Sequence, residues 1–227
     1  MKYEEVLEKI HGEPYAPIEI SKEKTALVLI DMQMLSLTDY LVWEATQAGV
    51  DEREAREALK WYTDTFDKAI SNAQKLLNAC REKGIRCVHV RILSYTGDAA
   101  DTGKLHKRIG FFCPPDSKWS QWIPEVAPID GEVQLQKTCS GAVVGSRIDM
   151  VLRNLGIENV IGVGFYTDQC VETTLRDLAD CGYEVCMVTD ATATQTEERQ
   201  RNTINAIGNV YVVCEKTADL LKRISKL

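Results

Sequence analysis

The run Val160-Ile161-Gly162-Val163, followed without a break by Gly164-Phe165-Tyr166-Thr167-Asp168-Gln169-Cys170-Val171-Glu172-Thr173-Thr174, decides how this chain is read. The apolar run suits a strand buried on both faces, and Glu172 to Cys181 carries a helical pattern. Cys170 therefore falls where a strand gives way to a helix. Unpaired N–H groups and the positive end of the helix dipole favour a thiolate at such a point. A sharp turn after a strand also lifts a side chain out of the sheet edge, within reach of a small molecule. Taken alone, a cysteine is more often a buried, inert packing residue. The residues at two other strand ends separate the two readings.

Working outward, Thr25–Ile30, Ile85–Val90, Val133–Gln136, Asn159–Val163, Glu184–Thr189 and Val210–Cys214 read as strands. Helices are predicted over Asp51–Lys83, with Gly84 as the stop, and over Ser146–Leu155, Glu172–Cys181, Glu197–Ile207 and Thr217–Ile224. Residues 94–130 carry Gly97, Gly103, Gly110, Pro114, Pro115, Pro124 and Pro128, and no regular element is expected there. This alternation predicts a single α/β domain: a six-stranded, mostly parallel sheet with helices on both faces. The domain is expected over 24–227, behind an N-terminal extension at 1–23.

At 227 residues the chain is long enough for one large domain with a substantial core. A net charge of −7 and a pI near 5.1 argue against nucleic acid or an anionic membrane as partner. No apolar run approaches a membrane span, and Met1-Lys2-Tyr3-Glu4-Glu5 lacks the apolar core of a secretory signal. The eight cysteines include no Cys-x-x-Cys pair. That usage suits free thiols in a reducing compartment, and a cytoplasmic location is expected.

Parallel sheets bind ligands at the carboxyl ends of their strands, near the point where strand order reverses. Asp31 directly follows the first strand, Lys137 the third, and Cys170 comes shortly after the fourth. A cationic Lys137 near Cys170 would lower the thiol pKa, while Asp31 could accept its proton and return it to a leaving group. Singly, Asp31 reads equally as a helix cap, Lys137 as a solvated loop residue, and Cys170 as a helix start. Their coincidence at one sheet edge favours catalysis.

These residues carry a resemblance. Asp31-Met32-Gln33 after an apolar strand, Lys137 before Cys139-Ser140-Gly141-Ala142, and the Gly164-x-x-Thr167-x-x-Cys170-Val171 pattern resemble the isochorismatase-like cysteine hydrolases. Gly182-Tyr183-Glu184-Val185 and Asp190-Ala191 match as well, and the likeness runs from about Lys24 to about Leu221. It points to the amidase branch, with N-carbamoylsarcosine amidase, ureidoacrylate amidohydrolase and biuret hydrolase. The resemblance implies a catalytic triad of Asp31, Lys137 and Cys170. It implies a cis peptide between Phe165 and Tyr166, and an oxyanion hole from the N–H groups of Tyr166 and Cys170. It further implies strand order 3-2-1-4-5-6, a small amide or ureido substrate, and a homo-oligomer, dimer or tetramer. No cofactor and no catalytic metal are expected, because a thiolate supplies the nucleophile that metal-bound water would otherwise provide.

The departures also inform. Met34-Leu35-Ser36 follows Gln33 where many members have Asp-Phe, so the wall beside Asp31 differs. Nicotinamidases of this family carry zinc-binding histidines before the second strand, and no histidine lies between Gln33 and Cys87. His11, His89 and His106 are too scattered for that site, and His89 reads as a core residue. Tyr166 stands where a small residue is common and should narrow the pocket.

Gln33, Tyr166 and Gln195 are the candidate substrate contacts. Tyr40, Trp43, Trp61, Tyr62, Trp119 and Trp122 are expected in lid packing or subunit contact, and Arg199 and Arg201 on a solvated helix face. The function read from these residues is hydrolysis of a linear amide or ureido C–N bond with release of ammonia, through a thioester. The alternatives are a catalytically idle binding or assembly module of this fold, and vinyl-ether hydrolysis. Members doing only the latter use the aspartate and lack the cysteine.

Overall fold

Thr25–Ile30 has no charged residue and is buried along its whole length, as a strand covered on both faces must be. In the computed structural model, which describes residues 2–11 and 16–227, it lies inside a six-stranded sheet. In chain order the elements are α1 (Tyr3–His11), β1 (Thr25–Ile30), α2 (Thr38–Gln47), α3 (Glu52–Ala58), α4 (Lys60–Lys83), β2 (Arg86–Ile92), α5 (Lys104–Arg108) and β3 (Val133–Lys137). There follow α6 (Ala142–Gly145), α7 (Ile148–Asn154), β4 (Asn159–Phe165), α8 (Glu172–Asp180), β5 (Glu184–Ala193), α9 (Glu197–Ile207), β6 (Val213–Glu215) and α10 (Thr217–Ile224). The order is β3-β2-β1-β4-β5-β6 and every pairing is parallel. Strand order reverses between β1 and β4, which places a crevice at their carboxyl ends.

Alternate residues of β1 serve opposite layers. Leu27 and Leu29 pack with Phe66, Leu76 and Leu77 of α4 and with Leu220 of α10. Ala26, Val28 and Ile30 pack with Leu152 of α7 and with Leu175 and Leu178 of α8. Each such leucine contributes about 1.5–3 kcal/mol relative to exposure. Phe66, Ala69, Ile70, Ala73, Leu76, Leu77 and Cys80 form the helical stripe that docks α4, and Gly84 at φ 70° ends it. At the switch point the backbones themselves touch. A Cβ on Gly164 (φ 129°) would sit 2.0 Å from the Ile30 carbonyl oxygen, so only glycine fits there.

Behind the sheet edge, Glu132 ties three segments together. It accepts from Arg81 Nε at 2.8 Å and Nη2 at 2.9 Å, and from the Ile129 N–H at 3.0 Å. Its Oε2 also lies 2.9 Å from His89 Nε2, so His89 is a paired core residue, in line with the sequence.

Several boundaries differ from expectation. The helix read over 51–83 breaks at Leu59 (φ −87°, ψ 6°), whose side chain turns into the α4 core layer. The strand read at 210–214 begins only at Val213, because Asn209 (φ 56°) and the Val210 and Tyr211 N–H bonds to Ile207 O make a turn first. β5 runs on to Ala193 through a register shift against β4 between Gly162 and Gly164. The single-turn α5 lies within 94–130, where no regular element was expected, and α2 follows β1 in a segment for which no helix was predicted. Met1 and residues 12–15, parts of the expected extension, lie outside the described residues. Among the described residues no helix is long and apolar enough to cross a membrane.

Candidate active site

Asp31 is the first residue past β1. It takes a left-handed backbone conformation (φ 52°), which Asp tolerates better than most residues. Its N–H still donates to Val90 O at 2.8 Å, so the chain leaves the sheet pinned to β2. Lys137, the last residue of β3, is wholly buried and its Nζ donates to Asp31 Oδ2 at 2.7 Å and to Cys139 O at 3.0 Å. Taking either charge out of water alone would cost several kcal/mol, so each is tenable only beside the other. Burial pulls the Lys137 pKa down, but pairing with the Asp31 carboxylate and the nearness of Cys170 outweigh it and hold the ammonium above its ordinary value. Asp31 is raised by burial, against the opposing pull of Lys137. Its Oδ1 is buried and has no hydrogen-bond partner among the described residues, which leaves an acceptor open.

Cys170 sits in the turn between β4 and α8. The Phe165–Tyr166 peptide bond is cis, and Thr167–Val171 form a wide, π-type turn before α8 continues the helix. The thiol is buried at 6% exposure. Burial pushes the Cys170 thiol well up, the Lys137 ammonium pulls it down, and the Asp31 carboxylate adds to the rise. Lys137 thus lowers this thiol as expected, but it does not set the net direction. Desolvation is the larger effect, and the resting site holds a neutral thiol beside an ion pair.

A cavity of about 600 Å³ opens above these groups, with Asp31, Cys170 and Tyr166 in its lining. Gln195 reaches its mouth, where its Oε1 accepts from Arg199 Nη1 at 3.0 Å. Gln33 does not line it. The Gln33 amide donates to Ile92 O at 2.9 Å and Ser120 O at 2.8 Å and accepts from the Ile92 N–H at 2.8 Å. With its amide so engaged, Gln33 braces β2 and the 117–120 turn, and its reading as a substrate contact is corrected.

Other residues reach the cavity that the sequence did not single out for it. Arg199, expected on a solvated face, lines the mouth and pairs with Asp168, which also accepts from Thr194 Oγ1. His106 is buried in the wall, its Nε2 3.4 Å from Ser140 Oγ. Burial and the Lys137 ammonium hold it below its ordinary value, so it is neutral at pH 7. Tyr40 and Glu44 enter from α2. Tyr40 and Trp43 of α2 pack against Trp119, the first edge-on at a centroid distance of 5.3 Å and the second tilted at 6.0 Å. Among the described residues no three His, Cys, Asp or Glu side chains converge as a metal site.

The isochorismatase domain model matches residues 25–219. The chain belongs to the isochorismatase family. It is 26% identical over 191 residues to the uncharacterized isochorismatase family protein YwoC of Bacillus subtilis, covering 84% of this chain and 88% of that protein. To the ureidoacrylate amidohydrolase RutB of Rhizobium rhizogenes it is 27% identical over 193 residues, 78% of this chain and 73% of that enzyme. Among solved structures, a cysteine hydrolase from Pseudomonas syringae pv. phaseolicola superposes with a TM-score of 0.77 at 23% identity, covering 95% of this chain and 99% of that one. The family's domain is thus carried here on a six-stranded parallel sheet, the fold that the solved structure shares.

Proposed function

We propose that this hydrolase cleaves the C–N bond of a small amide or ureido compound, releasing ammonia, with Cys170 as nucleophile. The observation that carries the reading is the buried 2.7 Å Lys137–Asp31 ion pair at the edge where Cys170 ends its strand-to-helix turn. A neutral thiol needs a base at the moment of attack, and the open Oδ1 of Asp31 supplies one. Sulfur bonds to the carbonyl carbon as its proton passes to Asp31, and the N–H groups of Tyr166 and Cys170 take the developing oxyanion. Collapse breaks the C–N bond, and Asp31 returns the proton to the departing ammonia. A thioester remains on Cys170. Asp31 then draws a proton from water as that water attacks, the acid leaves, and the thiol is restored. Throughout, the Lys137 ammonium offsets negative charge on sulfur and carboxylate. The similarity to a ureidoacrylate amidohydrolase supports C–N cleavage over vinyl-ether hydrolysis, as does the cysteine itself.

The test is ammonia release from a panel of small amides and ureides, with intact-mass detection of an acyl adduct. Cys170→Ser keeps the shape but substitutes a hydroxyl far harder to deprotonate. Turnover should nearly vanish while binding survives. Ordinary turnover in that variant, or an adduct mapped to another cysteine, would refute the proposal.

A further inference from the structure

The hydrogen-bond directions in the cavity wall restrict what can occupy it. Tyr62 Oη donates its single hydrogen to Ser36 O at 2.8 Å. Tyr62 Oη and Tyr166 Oη lie 3.1 Å apart, so the hydrogen between them is that of Tyr166. With that hydrogen committed, the Tyr166 hydroxyl offers a ligand lone pairs only. Glu44 lines the same cavity, and its Oε1 accepts from Tyr40 Oη at 2.7 Å. Two acids of the site are balanced, Asp31 by Lys137 and Asp168 by Arg199. Glu44 forms no ion pair among the described residues and leaves the lining with one uncompensated negative charge. Arg199 at the mouth is already engaged by Asp168 and Gln195.

We infer that Glu44 and Tyr166 are specificity-determining residues that select an amide whose far end is neutral or cationic and rich in N–H donors, and that reject a carboxylate there. The inference rests on the reading of this cavity as the amide-hydrolysing site. Amino or ureido N–H groups satisfy both acceptors, whereas a carboxylate would face the Glu44 charge and the Tyr166 lone pairs with no hydrogen to offer either.

Three primary amides of similar length separate the cases: β-alaninamide (cation), succinamide (neutral) and succinamate (anion). Their binding to Cys170→Ala, measured by calorimetry, should fall in that order, with the cation bound at least about tenfold more tightly than the anion. Adding Glu44→Gln should shrink that ratio to about threefold or less while leaving succinamide within about twofold. Glu44 is exposed on α2, so this variant changes charge with little demand on folding. Tyr62→Phe, also in Cys170→Ala, frees the Tyr166 hydrogen to donate, and succinamate binding should then improve. The inference is overturned by an anion that binds as well as the cation, by binding of none of the three, by a ratio indifferent to Glu44→Gln, or by no gain for succinamate in Tyr62→Phe. Ammonia release from the same compounds by the unmodified protein reads the hydrolysis separately. The expected binding order without any ammonia would leave the selectivity standing and refute the amidase reading.

Discussion

Asp31→Asn should raise the reactivity of Cys170 while abolishing turnover, two effects of opposite sign from one isosteric change. In the resting site the Asp31 carboxylate disfavours a neighbouring thiolate, whereas Lys137 favours it. Without the carboxylate, the buried Lys137 ammonium is tenable only beside a Cys170 thiolate, the counter-charge that remains. At an effective dielectric of about 20, a unit charge about 4 Å away is worth about 4 kcal/mol. A third of that, about 1.4 kcal/mol, already multiplies the thiolate population about tenfold. A more acidic thiol is a somewhat weaker nucleophile, which moderates the gain. Alkylation of Cys170 by iodoacetamide at pH 7 should therefore speed up at least about fivefold. Amide turnover should fall about a hundredfold or more, because the group that carries the proton is gone. The assay is timed alkylation with peptide mass mapping, since all eight cysteines are free thiols. Loss of one partner of a buried pair costs about 3–5 kcal/mol, so a thermal melt must accompany it to show that the variant is folded. If the folded variant alkylates Cys170 no faster than the parent, Asp31 does not govern the state of the thiol.

Three further outcomes are expected. Burial alone would raise the Glu132 carboxyl, but Arg81, the Ile129 N–H and His89 outweigh it and hold it at about 2, below the ordinary 4.5. A depressed carboxyl stabilises above its ordinary pKa and loses that contribution as pH falls toward about 2. Acid melts of the parent should therefore lose about 2 kcal/mol over that interval, a loss absent from Glu132→Gln. Gln33→Leu removes the side-chain partner of the Ile92 carbonyl and N–H and leaves Ser120 O with only the longer bond from Arg91, and it should destabilise by about 2–4 kcal/mol in denaturant titration, with KM unchanged in the folded fraction; a raised KM at unchanged stability would make Gln33 a substrate contact after all. Gly164→Ala forces a Cβ against the Ile30 carbonyl and should cost about 3 kcal/mol or more, so a melt within a few degrees of the parent would contradict the close approach of β1 and β4.

The strands of this protein are legible because a parallel strand covered on both sides must be apolar at every position, as Ala26–Ile30 and Val160–Val163 are. Asp31 and Cys170 could be picked out for the same reason, each following such a run, whereas Lys137 closes the edge strand β3, whose alternating Val133-Gln134-Leu135-Gln136 is only half-buried. What escaped was set by partners distant in sequence. The α2 segment buries only Val42 within its span, too faint a stripe to read as a helix. Arg199 looks solvated until Asp168 is brought to it from the far side of β5. Gln33 looks like an amide free to read a substrate until the carbonyls of Ile92 and Ser120 close around it. The state of the thiol was misjudged because charge neighbours can be guessed from a motif, whereas desolvation depends on everything packed around the sulfur.

The packing of Tyr40 and Trp43 against Trp119 has a consequence for how this molecule can change over time. Asp31, Lys137 and Cys170 stand at three strand ends, whereas Tyr40, Glu44 and His106 belong to α2 and α5, segments inserted between strands. The aromatic clasp lets α2 lean on the 117–120 turn, so this wall is supported from outside the sheet. Residues 38–47 and 104–111 can therefore change while Asp31, Lys137 and Cys170 keep their spacing, and α2 together with its Trp119 contact is the unit to graft when the cavity wall is to be altered without touching the sheet.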